Sequence, residues 1–524
     1  MMMKNKIVRR LLAGAMAAAM LTSVLSACGD SAKTGGTAVS GAAAGKVDTS
    51  KEVKLKMYLL GDKPADFDKV YEKINVQLKK KINATVDVSF LSWAEHDQKY
   101  SLLFSSGEDF DLIFTAAGWA HYETTAAKKG FYELTDNFIS AYAPGVKKVV
   151  PQEAWEQAKI DGKIYMVPSY KVEFDQDVVA VRGDLMQKYG MKNISSPADL
   201  ENYFDKVLKN EKNITPLGAQ GTALQYLYLL TRNSWKEIAG TPLTLFSYNF
   251  NDPKDTKVVS VAETEQFRQY AKEMKAMQTK GYWSKDALST KDTRSDAFTQ
   301  GKAAAMVWNV GSCASYCEQA NKQHPEWKCT IYDIFPDKKK VVKPYTNNGI
   351  AINASSKNKE RAMMALNEFM TDKTVYDLAA YGIEGVHYKA VGNNKYVTAG
   401  QAERFPADGA CNWGWNNDNL ARTYDLTNAD PVRIKAQELT DVWKKNMISP
   451  HPLNAFSFME QNVKTQTSII NTLISQYMTP ICMGLVDDPD KAIDEFNTKL
   501  KQAGLDRVKQ EIQSQVDQRI AKSK

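Results

Sequence analysis

His96 to Ser106, followed by Gly107-Glu108-Asp109-Phe110-Asp111-Leu112-Ile113-Phe114, holds a helix, its stop and a buried strand in nineteen residues. A glycine directly after a helical run ends the helix. The short apolar run Leu112-Ile113-Phe114, entered from an acidic turn, predicts a strand covered on both faces. Upstream, Val53 to Leu60 alternates and then runs apolar, a strand, and Gly61-Asp62-Lys63-Pro64 is a turn. Phe67, Val70, Tyr71, Ile74 and Leu78 recur at helical spacing, and Thr85 to Leu91 alternates as a second strand. Strand, helix, strand, helix, strand is the opening of an α/β sheet.

The pattern returns downstream. Lys163 to Pro168 and Val178 to Arg182 read as strands, and Ser196-Pro197 opens a helix as N-cap and first-turn proline. Glu263 to Gln278 and Lys357 to Met370 are amphipathic helices, and Ala303 to Trp308 is a short apolar strand. The stretches 430–446, 457–478, 489–502 and 504–521 are helical. Residues 384–428 carry glycine, asparagine and aromatics without periodicity and predict loops and short strands.

The 524 residues are 43% hydrophobic and 25% charged, with a mean hydropathy of −0.43. That composition excludes a disordered chain and a polytopic membrane protein. Residues 1–10 are basic, 11–24 mostly apolar, and Leu25-Ser26-Ala27 precedes Cys28. This is the layout of a secretory signal peptide. The apolar run is shorter than the ~20 residues of a permanent span. Four of the seven net positive charges precede Cys28, and the remaining +3 is too mild to argue for nucleic acid. Gly29 to Ser50 is poor in large apolar residues and reads as a flexible tether.

Cys313, Cys317, Cys329, Cys411 and Cys482 are odd in number, so at least one thiol is free or pairs between molecules. The spacing of Cys313, Cys317, His324 and Cys329 is not that of a zinc ribbon, which favours packed thiols or one local disulfide over a metal site.

Four segments in order resemble the family 1 extracellular solute-binding proteins of ABC importers. They are Ser105 to Phe114, Gly162-Lys163-Ile164-Tyr165-Met166-Val167-Pro168, Phe298 to Met306, and Asn348 to Glu360. Leu25-Ser26-Ala27-Cys28 resembles a lipobox, which implies a lipid-modified, palmitoylated Cys28 and a membrane anchor on the extracytoplasmic face. The long helical C-terminus departs from maltose-binding protein and looks like a larger, oligosaccharide-type branch. The resemblance implies a two-lobed α/β periplasmic-binding-protein type II fold with hinge crossovers near Val167-Pro168-Ser169 and Tyr345 to Asn348. Its expected divisions are a signal peptide 1–27, a tether 28–50, lobe one 51–167 plus 349–385, and lobe two 168–348 plus 386–524 with a helical C-terminal extension. Implied partners are a carbohydrate ligand and ABC permease subunits, with a monomeric protein, no cofactor, no metal and no catalysis.

A neutral sugar presents hydroxyls and apolar C–H faces, so its cleft needs indole or phenol rings with acids and amides beside them. Candidates follow from position, and for Trp119, Trp308 and Asn309 also from the loops that the resemblance implies line the cleft. Trp93 and Asp97 come after the strand 85–91, Trp119 after the strand ending at Phe114, and Trp308 and Asn309 at the end of the strand after Gly301. Tyr170 and Glu173 lie past the first hinge. Glu384 sits in a glycine-flanked turn, and Trp413 and Trp415 in the aperiodic segment. Trp155, Trp235, Trp283, Trp327 and Trp443 read as packing. An enzyme acting on glycans is the rival class, but no Gly-x-Ser-x-Gly, His-Glu-x-x-His or P-loop occurs and no segment isolates a carboxylate pair. A peptide-binding lipoprotein, or a sensor accessory, is the third.

Overall fold

The computed structural model describes residues 48–523 except 94, 219–223, 291–292, 393, 408 and 448–450. The signal segment, Cys28 and nearly all of the tether lie outside the described residues.

Two sheets carry the fold. Their strands in chain order are β1 (Val53–Leu60), β2 (Ala84–Leu91), β3 (Leu112–Thr115), β4 (Val167–Pro168), β5 (Asp177–Val181), β6 (Thr215–Leu217), β7 (Ala303–Asn309), β8 (Thr330–Tyr332) and β9 (Gly349–Ile352). The helices used below are α1 (Phe67–Ile82), α2 (His96–Ser105), α3 (Arg294–Thr299), α4 (Val310–Gln323), α5 (Lys359–Thr371), α6 (Pro431–Lys445), α7 (Pro489–Gln502) and α8 (Leu505–Ser523).

The first sheet runs β2-β1-β3-β9-β4 and the second β8-β5-β7-β6. β1 is parallel to both β2 and β3, so each connection is a crossover that carries a helix. β9 returns antiparallel between β3 and β4. α1 packs on this sheet through Phe67, Val70, Tyr71, Ile74, Leu78 and Ile82, and ends where Asn83 turns left-handed at φ +46°. The opening strand–helix order read from the sequence is the one observed, with ends moved by a residue or two.

Each sheet has its own apolar core. The first gathers residues from 55–167 and 350–379; the second gathers residues from 179–341 and 453–516, including Ile493 and Phe496 of α7 and Val508 and Ile512 of α8. One stretch differs from expectation. Phe405, Ala410, Cys411 and Trp415 are buried in the first core, although sequence order put everything beyond 386 with the second. Trp415 packs 4.9 Å from Phe369 of α5, and Gly414 closes against Ile350 and Phe114, where a Cβ would come within 2.8 Å. Aperiodic chain can bury large side chains one at a time, a pattern no period reveals.

Three segments meet between the cores. Ser169 N donates to the Asn348 carbonyl at 2.9 Å, Tyr170 N to Asn416 O at 2.7 Å, and Asp418 N to Tyr170 O at 2.9 Å. The third segment, 416–418, was not anticipated.

All five described cysteines are unpaired and buried. Cys313, Cys317 and Cys329 share an apolar cluster with Val432 and Trp443. Burial pushes the Cys329 thiol up to about 12. His324 stacks on Trp327 at 4.0 Å instead of turning to the thiols.

Candidate functional site

Three indoles share one wall. Trp93 follows the carboxyl end of β2, Trp119 that of β3, and Trp413 lies in the turn Asn412–Trp415. The Trp93 ring is 6.4 Å from Trp119 at 29° and 6.3 Å from Trp413 at 13°. Buried Phe114 supports the other two, 5.5 Å from Trp119 and 6.2 Å from Trp413. Trp119 Nε1 donates to the Asn347 carbonyl at 3.0 Å, tying the ring to the joint between the cores. Trp93 backs onto Gly61 (φ +106°), where a Cβ would sit 3.3 Å from Nε1. Trp93 and Trp119 still leave 49% and 37% of their surface exposed. Adjacent open rings held in place by their neighbours form a prepared apolar surface.

Across a cavity of about 510 Å³ stand Lys171, Glu173, Phe174, Asn309, Lys343 and Thr440. Phe174, Asn309 and Lys343 also border a second, inner cavity of about 300 Å³, so the two adjoin. The inner chamber adds Asp177, Tyr226, Glu237, Arg294 and Trp308. Trp308 is therefore an inner-chamber residue. Its ring stacks on Tyr316 at 6.0 Å, with the Arg294 guanidinium 4.6 Å from its centre. Arg294 is held there by donating to the Val307 carbonyl at 2.9 Å.

The charges of the inner chamber are mixed. Burial, then the neighbouring Asp175, raises Asp177 to about 6, against the pull of Arg294 and Lys343. Burial also raises Glu237, partly offset by the Tyr226 hydroxyl that donates to it at 2.9 Å. For Asp175 burial pushes upward, but Lys236 at 2.8 Å and Lys343 outweigh it and the value falls. Among the described residues no group of three or more His, Cys, Asp or Glu is placed to hold a metal ion.

Four candidates lie elsewhere. Trp415 is 1% exposed and belongs to the first core, so it has no face left for a ligand. Asp97 points to two imidazoles, His96 at 3.4 Å and His121 at 3.2 Å, and does not line the cavity. Tyr170 serves the joint, its backbone paired with 416–418 and its ring 6.1 Å from Tyr345. Glu384 accepts from Ala390 N at 3.3 Å within its own turn. Glu173 lines the outer cavity, paired with Lys171 at 3.2 Å. Asp177, Arg294 and Lys343 escaped the sequence reading. The only trace of Asp177 was an acid opening the apolar run Val178-Val179-Ala180-Val181.

Residues 73–386, more than half of the chain, match the bacterial extracellular solute-binding protein family. The chain belongs to that family. It is a family of binding proteins, and its fold is the two-lobed periplasmic-binding-protein type. Residues 452–521 match a domain of unknown function, DUF3502. A carbohydrate ABC transporter substrate-binding protein of Streptococcus pneumoniae serotype 4 is 26% identical over 520 residues, spanning 96% of this chain and 97% of that one. The polygalacturonan/rhamnogalacturonan-binding protein YtcQ of Bacillus subtilis is 22% identical, over 80% and 83%. Among solved structures, the N-glycan transport solute-binding protein NgtS of Streptococcus pneumoniae superimposes with a TM-score of 0.73 at 23% identity, covering 90% of this chain and all of that one. NgtS has also been solved with Man5GlcNAc.

Proposed function

We propose that the protein captures a neutral oligosaccharide between its two lobes and delivers it to the permease of an ABC importer. The observation that carries this reading is the wall of three indoles facing polar side chains across an open cleft. Flat apolar rings suit sugar C–H faces, and the amide and charged groups opposite suit hydroxyls. The carbohydrate and N-glycan ligands named for its relatives support a glycan ligand, and the polygalacturonan of YtcQ, an acidic polymer, supports a glycan but not its neutrality. The segments meeting at Ser169, Asn348 and Asn416 serve as the hinge, and ligand bridging both walls biases the open–closed equilibrium toward closure. The lobes are 51–167 with 349–385 and 405–415, and 168–348 with the C-terminal helices. Cys28 carries the lipid that keeps the monomer at the extracytoplasmic face of the membrane. Capture needs no catalysis.

The test is a thermal-shift and calorimetric screen against neutral oligosaccharides, with Man5GlcNAc first and peptides and amino acids as controls. Ligand that binds the folded state raises Tm by mass action. A rise with a neutral glycan supports the reading; a rise with peptides alone refutes it.

A further inference from the structure

One acid of the inner chamber stands apart. Asp175 is tied to Lys236 and Glu237 accepts from Tyr226. Among the described residues the Asp177 carboxylate has no hydrogen bond and no ion pair, although it lines the cavity. Asp177 opens β5 and stands directly across from Asn309, the last residue of β7. Residues so paired put their Cβ atoms about 5 Å apart on one face of the sheet.

Asn309 is the N-cap of α4, and its Oδ1 accepts from Ser312 N at 2.9 Å. The cap bond decides which end of the amide faces the helix, and it leaves the Nδ2 donors for the cavity. A free acceptor and a free donor therefore stand side by side, with the Trp308 indole in the same chamber. Adjacent sugar hydroxyls need that combination, because each gives one proton and accepts others.

We propose that Asp177 and Asn309 read adjacent free hydroxyls of one neutral sugar residue seated in the inner chamber, beyond the part of the glycan held by the indole wall. This rests on the oligosaccharide reading and adds the residue class. At the position of the Asp177–Asn309 pair a uronate carboxylate is disfavoured, because it would face that of Asp177, while Arg294 and Lys343 lie elsewhere on the chamber wall. A residue lacking the diol leaves both side chains unpaired, which costs most where groups are shielded from water.

The ionised carboxylate is the better acceptor. With Asp177 raised to about 6, affinity is full above that value and falls as pH drops through it. The charged and titratable groups around it are Asp175, Lys236, Glu237, Tyr226, Arg294, Lys339, Lys343 and the Cys313 thiol. The comparison with Asp177→Asn isolates its share.

Calorimetry on the full chain would compare wild type and Asp177→Asn between pH 5 and 7.5, with Man5GlcNAc and then a panel of neutral glycans. The expected result is a loss of at least about tenfold in affinity at pH 7.5. The decline of wild-type affinity between pH 7 and 5 should flatten in the variant. Wild type that binds while Asp177→Asn binds equally, with the same pH profile, overturns the pair and leaves the oligosaccharide reading standing. Wild type that binds no neutral glycan overturns both. Should the variant melt early, the ligand is changed instead. Mild periodate, which cleaves vicinal diols, should abolish binding of the same glycan to wild type, and undiminished binding overturns the proposal.

Discussion

Replacing Trp93 by alanine tests the indole wall. An indole side chain offers up to about 250 Å², so Trp93, 49% exposed, leaves roughly 120 Å² to water, and Trp119, 37% exposed, roughly 90 Å². A sugar ring that covers half of each removes roughly 60 and 45 Å², which at about 25 cal/mol per Å² stabilises the complex by ~1.5 and ~1.1 kcal/mol. Each truncation should then weaken Kd by about tenfold, and the double variant Trp93→Ala/Trp119→Ala by about a hundredfold if the rings act independently. The effect should not change with salt, since no charge is involved. The assay is titration calorimetry against the tightest glycan of the panel, with Trp415→Ala as the contrast. That ring is in the core, so its loss should cost about 3–5 kcal/mol of stability and leave affinity intact wherever the variant is folded. Glycan binding unchanged in Trp93→Ala and in the double variant would refute the assignment of this wall to the ligand.

Other outcomes follow from the same structure. Lys340 is fully buried, its Nζ 2.8 Å from Asp333, which also accepts from Trp443 Nε1 of α6 at 2.9 Å. Lys340→Met should destabilise by about 3 kcal/mol through the stranded carboxylate, and Lys340→Met/Asp333→Asn should recover most of it in urea unfolding; equal loss in both would show that packing, not charge, is at issue. Buried Asp66 accepts from Arg404 at 2.8 Å and lies 3.3 Å from His387 Nε2, and the bond to Arg404, then Lys69, holds its carboxyl below the usual range. Its contribution is present above the unfolded value of about 4 and is lost as pH falls through the folded one. In Arg404→Gln the acid-induced fall of Tm should therefore begin at higher pH, and an unshifted profile would count against this anchor. The five buried thiols should ignore a thiol reagent in the native protein and all react after unfolding; rapid labelling of Cys313 or Cys317 in the native state would contradict their packing.

The sequence by itself determined the α/β alternation, because buried strands and amphipathic helices impose their own periods on residues 53–114. It also placed Trp93, Trp119, Trp308 and Asn309 at the carboxyl ends of strands, where open sheets leave their crevices. A local signal could go no further. Trp413 and Trp415 share one turn and one composition, yet the first faces the cleft and the second is buried against Phe369, and only the packing of α5 separates them. Asp177 is an ordinary acid in sequence. It becomes distinctive when β5 pairs with β7, Asn309 caps α4, and the charges around it, Lys236 on Asp175 and Tyr226 on Glu237, are taken up by others. The decisive one, the pairing of Asp177 with Asn309, joins residues more than a hundred positions apart. Periodicity reports which side of an element is buried, whereas a binding site depends on which elements meet, and only the tertiary structure decides that.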